Sequence, residues 1–109
     1  LKPSEVTPLS GLEIGGVLEE AGIPPGIVNV LPANANVSAA LVQHPNVAMI
    51  SFTGGTTAGL SIAAVAAKRL APTLLELGGK SPHIVFEDAD VERAATAVAY
   101  GIFSSMGQT

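Results

Sequence analysis

Glu76 stands near the end of an apolar run, Leu74-Leu75-Glu76-Leu77-Gly78-Gly79-Lys80, where an acid needs a physical reason. Burying an unpaired carboxylate is costly. A carboxyl held in apolar surroundings takes up a proton more readily, which suits a general base. The competing account is structural: the N–H groups of Gly78 and Gly79, or the Lys80 ammonium, satisfy the charge. A second group, Phe52-Thr53-Gly54-Gly55-Thr56, sits where a strand pattern hands over to a helix pattern. Glycines let a backbone approach a ligand closely, and the free N–H groups of a helix start favour an anion such as pyrophosphate. The run differs from the G-x-G-x-x-G dinucleotide fingerprint, and an ordinary tight turn accounts for it equally well. Third, Lys2-Pro3-Ser4-Glu5 puts an ammonium and a carboxylate together just beyond an extended segment. Ligands of open α/β sheets bind outside the carboxyl ends of strands, where a carboxylate can accept hydrogen bonds from ribose hydroxyls. A solvated surface pair is the plainer reading of the same residues.

The remaining polar residues point to structure. His44 and His83 lie 39 positions apart with no cysteine between them, which argues against a metal site. Asp88 and Asp90 read as turn and cap residues, and Met49 and Met106 as ordinary apolar positions.

Positioning these groups requires a fold, and composition bounds it. A chain of 109 residues is long enough for one domain and too short for two. At this size, burial of about 60–70% of the unfolded surface is expected, enough for a modest core. Apolar residues make up 48% and charged residues 13%, with a mean hydropathy of +0.48. The apolar content comes in short runs, none near the roughly 18–20 residues of a membrane span. Strands buried on both faces under covering helices read this way. Five Lys+Arg against nine Asp+Glu give a formal charge of −4, and one Tyr and three Phe leave little for base stacking. No nucleic-acid partner is expected. The absence of cysteine excludes a disulfide scaffold and a zinc–thiolate site. Lys2 and Glu5 interrupt any signal-peptide pattern, and the start without Met leads us to expect a piece of a longer chain.

Strand-like and helix-like patterns alternate. After a short extended segment over 1–5, Thr7 or Ser10 can cap a helix to about Ala21 with Leu9, Leu12, Val17 and Leu18 as its apolar positions. Gly22 ends it and Pro24-Pro25-Gly26 forbids continuation. Residues 26–31 then read as a buried strand, 36–44 as a short helix, and 47–53 as a second strand. An alanine-rich helix over about 56–70 follows, stopped by Pro72, then strands at 73–77 and 83–86. Asp90 is a good N-cap for a last helix, in which Val91, Ala94, Ala95, Val98 and Ile102 recur at helical spacing. The order predicts an α/β fold: an open, mostly parallel, twisted sheet with helices on both faces, Rossmann-like.

Taken together, the segments resemble the aldehyde dehydrogenase superfamily. Lys2-Pro3-Ser4-Glu5 followed by Thr7-Pro8-Leu9 is similar to its K-P-S-E-x-T-P-L. Residues 20–30 are similar to E-A-G-x-P-x-G-V-x-N-V, and Ile50-Ser51-Phe52-Thr53-Gly54 to I-x-F-T-G-S. Residues 75–82 nearly match L-E-L-G-G-K-S-P. Gly107-Gln108-Thr109 resembles the run that precedes the family's nucleophilic cysteine. The resemblance spans the whole chain, in order and in register.

Roles follow from the resemblance residue by residue. Lys2 and Glu5, with Ser4 between them, would hold the adenosine ribose, and the turn Phe52, Thr53, Gly54, Gly55, Thr56 would face the pyrophosphate. Glu76 would be the general base that activates water against a thioester acyl-enzyme, and Leu77 and Gly78 would line the nicotinamide pocket. The implied cofactor is NAD in preference to NADP, and the implied substrate an aldehyde. The implied protein is a cytoplasmic homo-oligomer without membrane contact, of which residues 1–109 are part of one NAD-binding domain. On this reading the chain stops before the nucleophilic cysteine and is inactive alone. A CoA-acylating relative is a second possibility, though it has no need of the water-activating Glu76. A free-standing binding or assembly module is a third. The sequence departs from the family's pattern at Gly55, where Ser is usual, at Thr57, where an acid is common, and at Ala33-Asn34-Ala35-Asn36, which replaces a glycine-containing loop.

Overall fold

The protein is represented by a computed structural model that describes residues 1–107; Gln108 and Thr109, part of the run matched to the nucleophile motif, lie outside the described residues. Among the described residues the order is α1 (Leu9–Glu20), α2 (Ala35–Gln43), β1 (Ile50–Thr53), α3 (Thr56–Ala67), β2 (Thr73–Glu76) and α4 (Val91–Phe103). The class is α/β, as the alternating patterns predict. The chain divides into two compact units, Leu1–Glu76 and Leu77–Thr109.

In the first unit β1 and β2 pair in parallel, with Ile50 opposite Thr73, Phe52 opposite Leu75 and Thr53 opposite Glu76. The helix between them, α3, packs on both strands and on α2. A parallel pair needs such a crossover, because two strands running the same way cannot be joined by a tight turn. Small residues let α3 approach closely: Gly59 and Ala66 are its buried positions.

Helix ends are set by local chemistry. The N-cap of α1 is Pro8, already in helical backbone and with no side-chain cap, so neither Thr7 nor Ser10 caps the helix; proline's restricted φ favours this start. Gly22, at φ 75, closes α1, with Ile23 N–H donating to Leu18 O at 3.0 Å and Gly22 N–H to Glu19 O at 3.0 Å. Such a left-handed residue satisfies the last carbonyls, and glycine takes it without steric cost. α3 ends in the same pattern with Leu70 at φ 53, and Ala71 N–H reaches Ala66 O at 3.1 Å. Asn34 caps α2, its Oδ1 accepting from the N–H groups of Asn36 and Val37 at 3.1 and 3.2 Å. Asp90 caps α4 as its position predicts, Oδ1 accepting from Arg93 N–H at 3.0 Å.

Two expected strands are not strands. Residues 26–31 and 83–86 carry no ladder, because a strand exists only with a partner and an apolar pattern cannot say whether that partner is at hand. Around 29–31 two hydrogen bonds reach the first residue: the Leu1 amine donates to Asn29 O at 2.6 Å, and Leu31 N–H donates to Leu1 O at 2.9 Å.

The expected core is also nearly absent. Among the described residues Ile50 and Ala66 are the buried apolar ones, while Ile27, Val28, Leu74, Ile84 and Phe86 are all exposed. The accessible surface is 8608 Å², against about 5,600 Å² for a folded monomer of this mass. Predicted burial fails here because no second layer covers the strand faces within the described residues. Met106, read as an ordinary apolar position, is 90% exposed and sits at φ 54.

Candidate functional site

β1 delivers Phe52 and Thr53 to a turn at Gly54-Gly55, and α3 starts at Thr56. Gly54 N–H donates to Glu76 O at 3.0 Å, which carries the ladder one step beyond Thr53. The half-buried Phe52 ring lies directly over Gly54: a Cβ there would lie 2.5 Å from Phe52 Cζ, so any side chain at this position makes the ring shift. Gly55 is the N-cap of α3 and contributes no side-chain hydrogen bond, leaving the first-turn N–H groups uncapped. Nothing lies within 4 Å of a Cβ built at Gly55. An uncapped helix start facing open space can take an anion, since its N–H groups carry partial positive charge. On this observation the residues present fit a pyrophosphate.

Glu76 ends β2 opposite Thr53. The acid and the glycine turn therefore come to the same end of the parallel pair. Its side chain is exposed and accepts no hydrogen bond among the described residues. This corrects the expectation of a carboxylate buried in an apolar strand: in a two-stranded sheet with open faces, a strand end meets solvent.

Lys2 and Glu5 do not pair. Half-buried Lys2 turns its ammonium to Ala33 O at 3.3 Å, at the loop that leads into α2. Glu5 is exposed and has no hydrogen bond or ion pair among the described residues. Ser4 organises the bend that follows: its carbonyl accepts from Thr7 N–H at 3.3 Å and its Oγ from Val6 N–H at 3.4 Å. The two side chains therefore make no ion pair with each other, while the exposure of Glu5 is what a solvated surface residue shows. Leu77 and Gly78 are exposed and open the second unit in chain order.

Two supports of this site were not read from the sequence. Arg69 donates through Nη1 to Val47 O and through Nη2 to Val42 O at 3.0 Å, tying the end of α3 to the last turn of α2 and the approach to β1. Its signal was a lone guanidinium within a mostly apolar stretch. Asn34 was read as part of a departure from a glycine loop; an Asn just ahead of a short helix pattern is itself a cap signal.

The aldehyde dehydrogenase family model matches residues 1–109. The chain belongs to the aldehyde dehydrogenase family. It is 48% identical over 107 residues to betaine aldehyde dehydrogenase 2 of Rhizobium meliloti (strain 1021), covering 98% of this chain and 22% of that protein. Its fold is similar to that of PnpE in complex with nicotinamide adenine dinucleotide, at a TM-score of 0.92 and 45% identity over 99% of this chain and 22% of that one. It is also similar to a cysteine-to-alanine variant of AldC from Pseudomonas syringae in complex with NAD+ and octanal. There the TM-score is 0.94 and the identity 40%, over 100% of this chain and 23% of that one. The chain thus spans between a fifth and a quarter of the length of these relatives.

Proposed function

We propose that this chain is the cofactor-binding part of an NAD-dependent aldehyde dehydrogenase that oxidises an aldehyde to a carboxylic acid through a cysteine thioester. The observation that carries this reading is the parallel register that sets Glu76 opposite Thr53, where the uncapped start of α3 also lies. An anion-binding helix start and a carboxylate at one sheet end match the needs of a dinucleotide enzyme with a hydrolytic step.

In this reading Lys2, Ser4 and Glu5 contact the adenosine ribose. Phe52, Thr53, Gly54, Gly55 and Thr56 form the turn against the pyrophosphate, and Leu77 and Gly78 line the nicotinamide pocket. NAD, when bound, supplies the hydride acceptor. The N–H groups of the first α3 turn hold and orient it, and Gly54 keeps the backbone clear beneath the Phe52 ring. Glu76 takes a proton from water, and the hydroxide so formed attacks the thioester carbonyl, whose C–S bond then breaks to release the carboxylic acid and return the cysteine thiolate. Residues 1–109 form part of one NAD-binding domain, and the apolar faces exposed here are covered by the rest of the polypeptide. The whole enzyme is a cytoplasmic homo-oligomer. Among the described residues no helix is long and apolar enough to cross a membrane.

Cofactor choice tests this reading. A carboxylate near the 2′-position of the adenosine ribose accepts from a hydroxyl and repels a phosphate, while nearby Lys2 softens the repulsion. In the full-length protein, kcat/KM with NAD is expected to exceed that with NADP by about tenfold or more. Equal or better use of NADP contradicts the placement of Glu5.

A further inference from the structure

α4 has no basic residue in its last turn, so its carbonyl-bearing end receives no cation from its own sequence. Beyond it Ser104 N–H donates to Tyr100 O at 3.0 Å and Met106 N–H to Phe103 O at 3.2 Å. Met106 and Gly107 then both take left-handed backbone, at φ 54 and φ 77. A methionine holds that conformation only where its surroundings over-determine it. One such constraint comes from 27 residues upstream: Lys80 Nζ donates to Gly107 O at 2.9 Å. The ammonium therefore sits on the carbonyl of the second left-handed residue, a charge-assisted hydrogen bond four residues beyond the end of α4.

We propose that Lys80 is a positioning residue for the segment that follows Gly107. By holding this carbonyl it fixes the direction in which the chain leaves α4. The inference rests on the function proposed above, in which the run after Gly107 leads to the nucleophilic cysteine. Lys80 touches neither substrate nor cofactor in this role; it acts through the backbone it orients.

The test uses the full-length protein with Lys80→Met, which keeps an unbranched side chain one atom shorter and removes the charge, and Lys80→Arg, which restores a donor. Three measurements are made: the rate of the first NADH burst, NAD affinity by fluorescence titration, and amide hydrogen exchange over 104–109. For Lys80→Met the burst is expected to slow about tenfold and exchange over 104–109 to quicken by a similar factor, with NAD affinity within about twofold. Lys80→Arg is expected to recover most of both losses. Unchanged exchange over 104–109 overturns the tether. A normal burst despite faster exchange overturns its role in positioning, as does a burst lost in parallel with NAD affinity, since that marks general destabilisation. If the wild-type protein makes no NADH from aldehydes, the functional reading fails by itself, and the exchange comparison still decides the tether.

Discussion

In the full-length protein, Glu76→Gln is expected to slow steady-state turnover by about 10²-fold or more while leaving the first burst of NADH intact. Glutamine has the size of glutamate but takes no proton from water, so deacylation loses its base while hydride transfer, which comes earlier, does not. The structure makes the substitution clean. The bond that carries the ladder past Thr53 is accepted by the main-chain oxygen of Glu76, and its side chain holds nothing else in place among the described residues. The β1–β2 register and the glycine turn therefore survive the change. Steady-state rates and rapid-mixing bursts are compared between the two proteins. Turnover within a few-fold of wild type removes Glu76 from the reaction.

The 109-residue chain by itself is expected to produce no NADH from any aldehyde and to self-associate. It has no cysteine to attack a carbonyl. Ser104 and Ser105, the nucleophile types near its end, have no base hydrogen-bonded to them among the described residues. Association follows from the surface: Val6, Ile84, Phe86, Tyr100 and Phe103 are each more than 70% exposed. Apolar exposure on this scale, with both outer edges of the β1–β2 pair unpaired among the described residues, favours pairing between copies. Light scattering of the purified chain and an NADH assay with several aldehydes decide the matter. A monodisperse monomer that turns over an aldehyde contradicts both parts.

The helices were legible because their stops are local. Gly22 ahead of Pro24, Pro45 after His44, and Asp90 ahead of an apolar stripe act within a turn or two of chain, and each boundary falls within a few residues of its signal. The segments over 26–31 and 83–86 have strand patterns yet form no strand, because a ladder depends on residues far away or on another segment altogether. Burial failed for the same reason: Ile27 and Phe86 carry apolar side chains, but nothing in their own sequence says whether a covering layer is present. At the site, motif positions were legible and surroundings were not. The Gly54 and Glu76 motifs each fall at a strand end as their patterns imply, and the parallel register sets them side by side, yet Glu76 is exposed, and Lys2 bonds to Ala33 O in place of Glu5. Contacts such as Arg69 to Val47 O and Lys80 to Gly107 O join residues more than 20 positions apart, beyond the reach of any local pattern.

In the proposed function this chain grips a dinucleotide through its first residues and the start of α3. A crystal structure of the full-length protein with NAD bound tests it most directly. Lys2 and Glu5 are expected within hydrogen-bond distance of the adenosine ribose hydroxyls, and the pyrophosphate against the N–H groups of the first α3 turn. A cofactor anchored elsewhere, with these groups more than about 4 Å from any of its polar atoms, contradicts it.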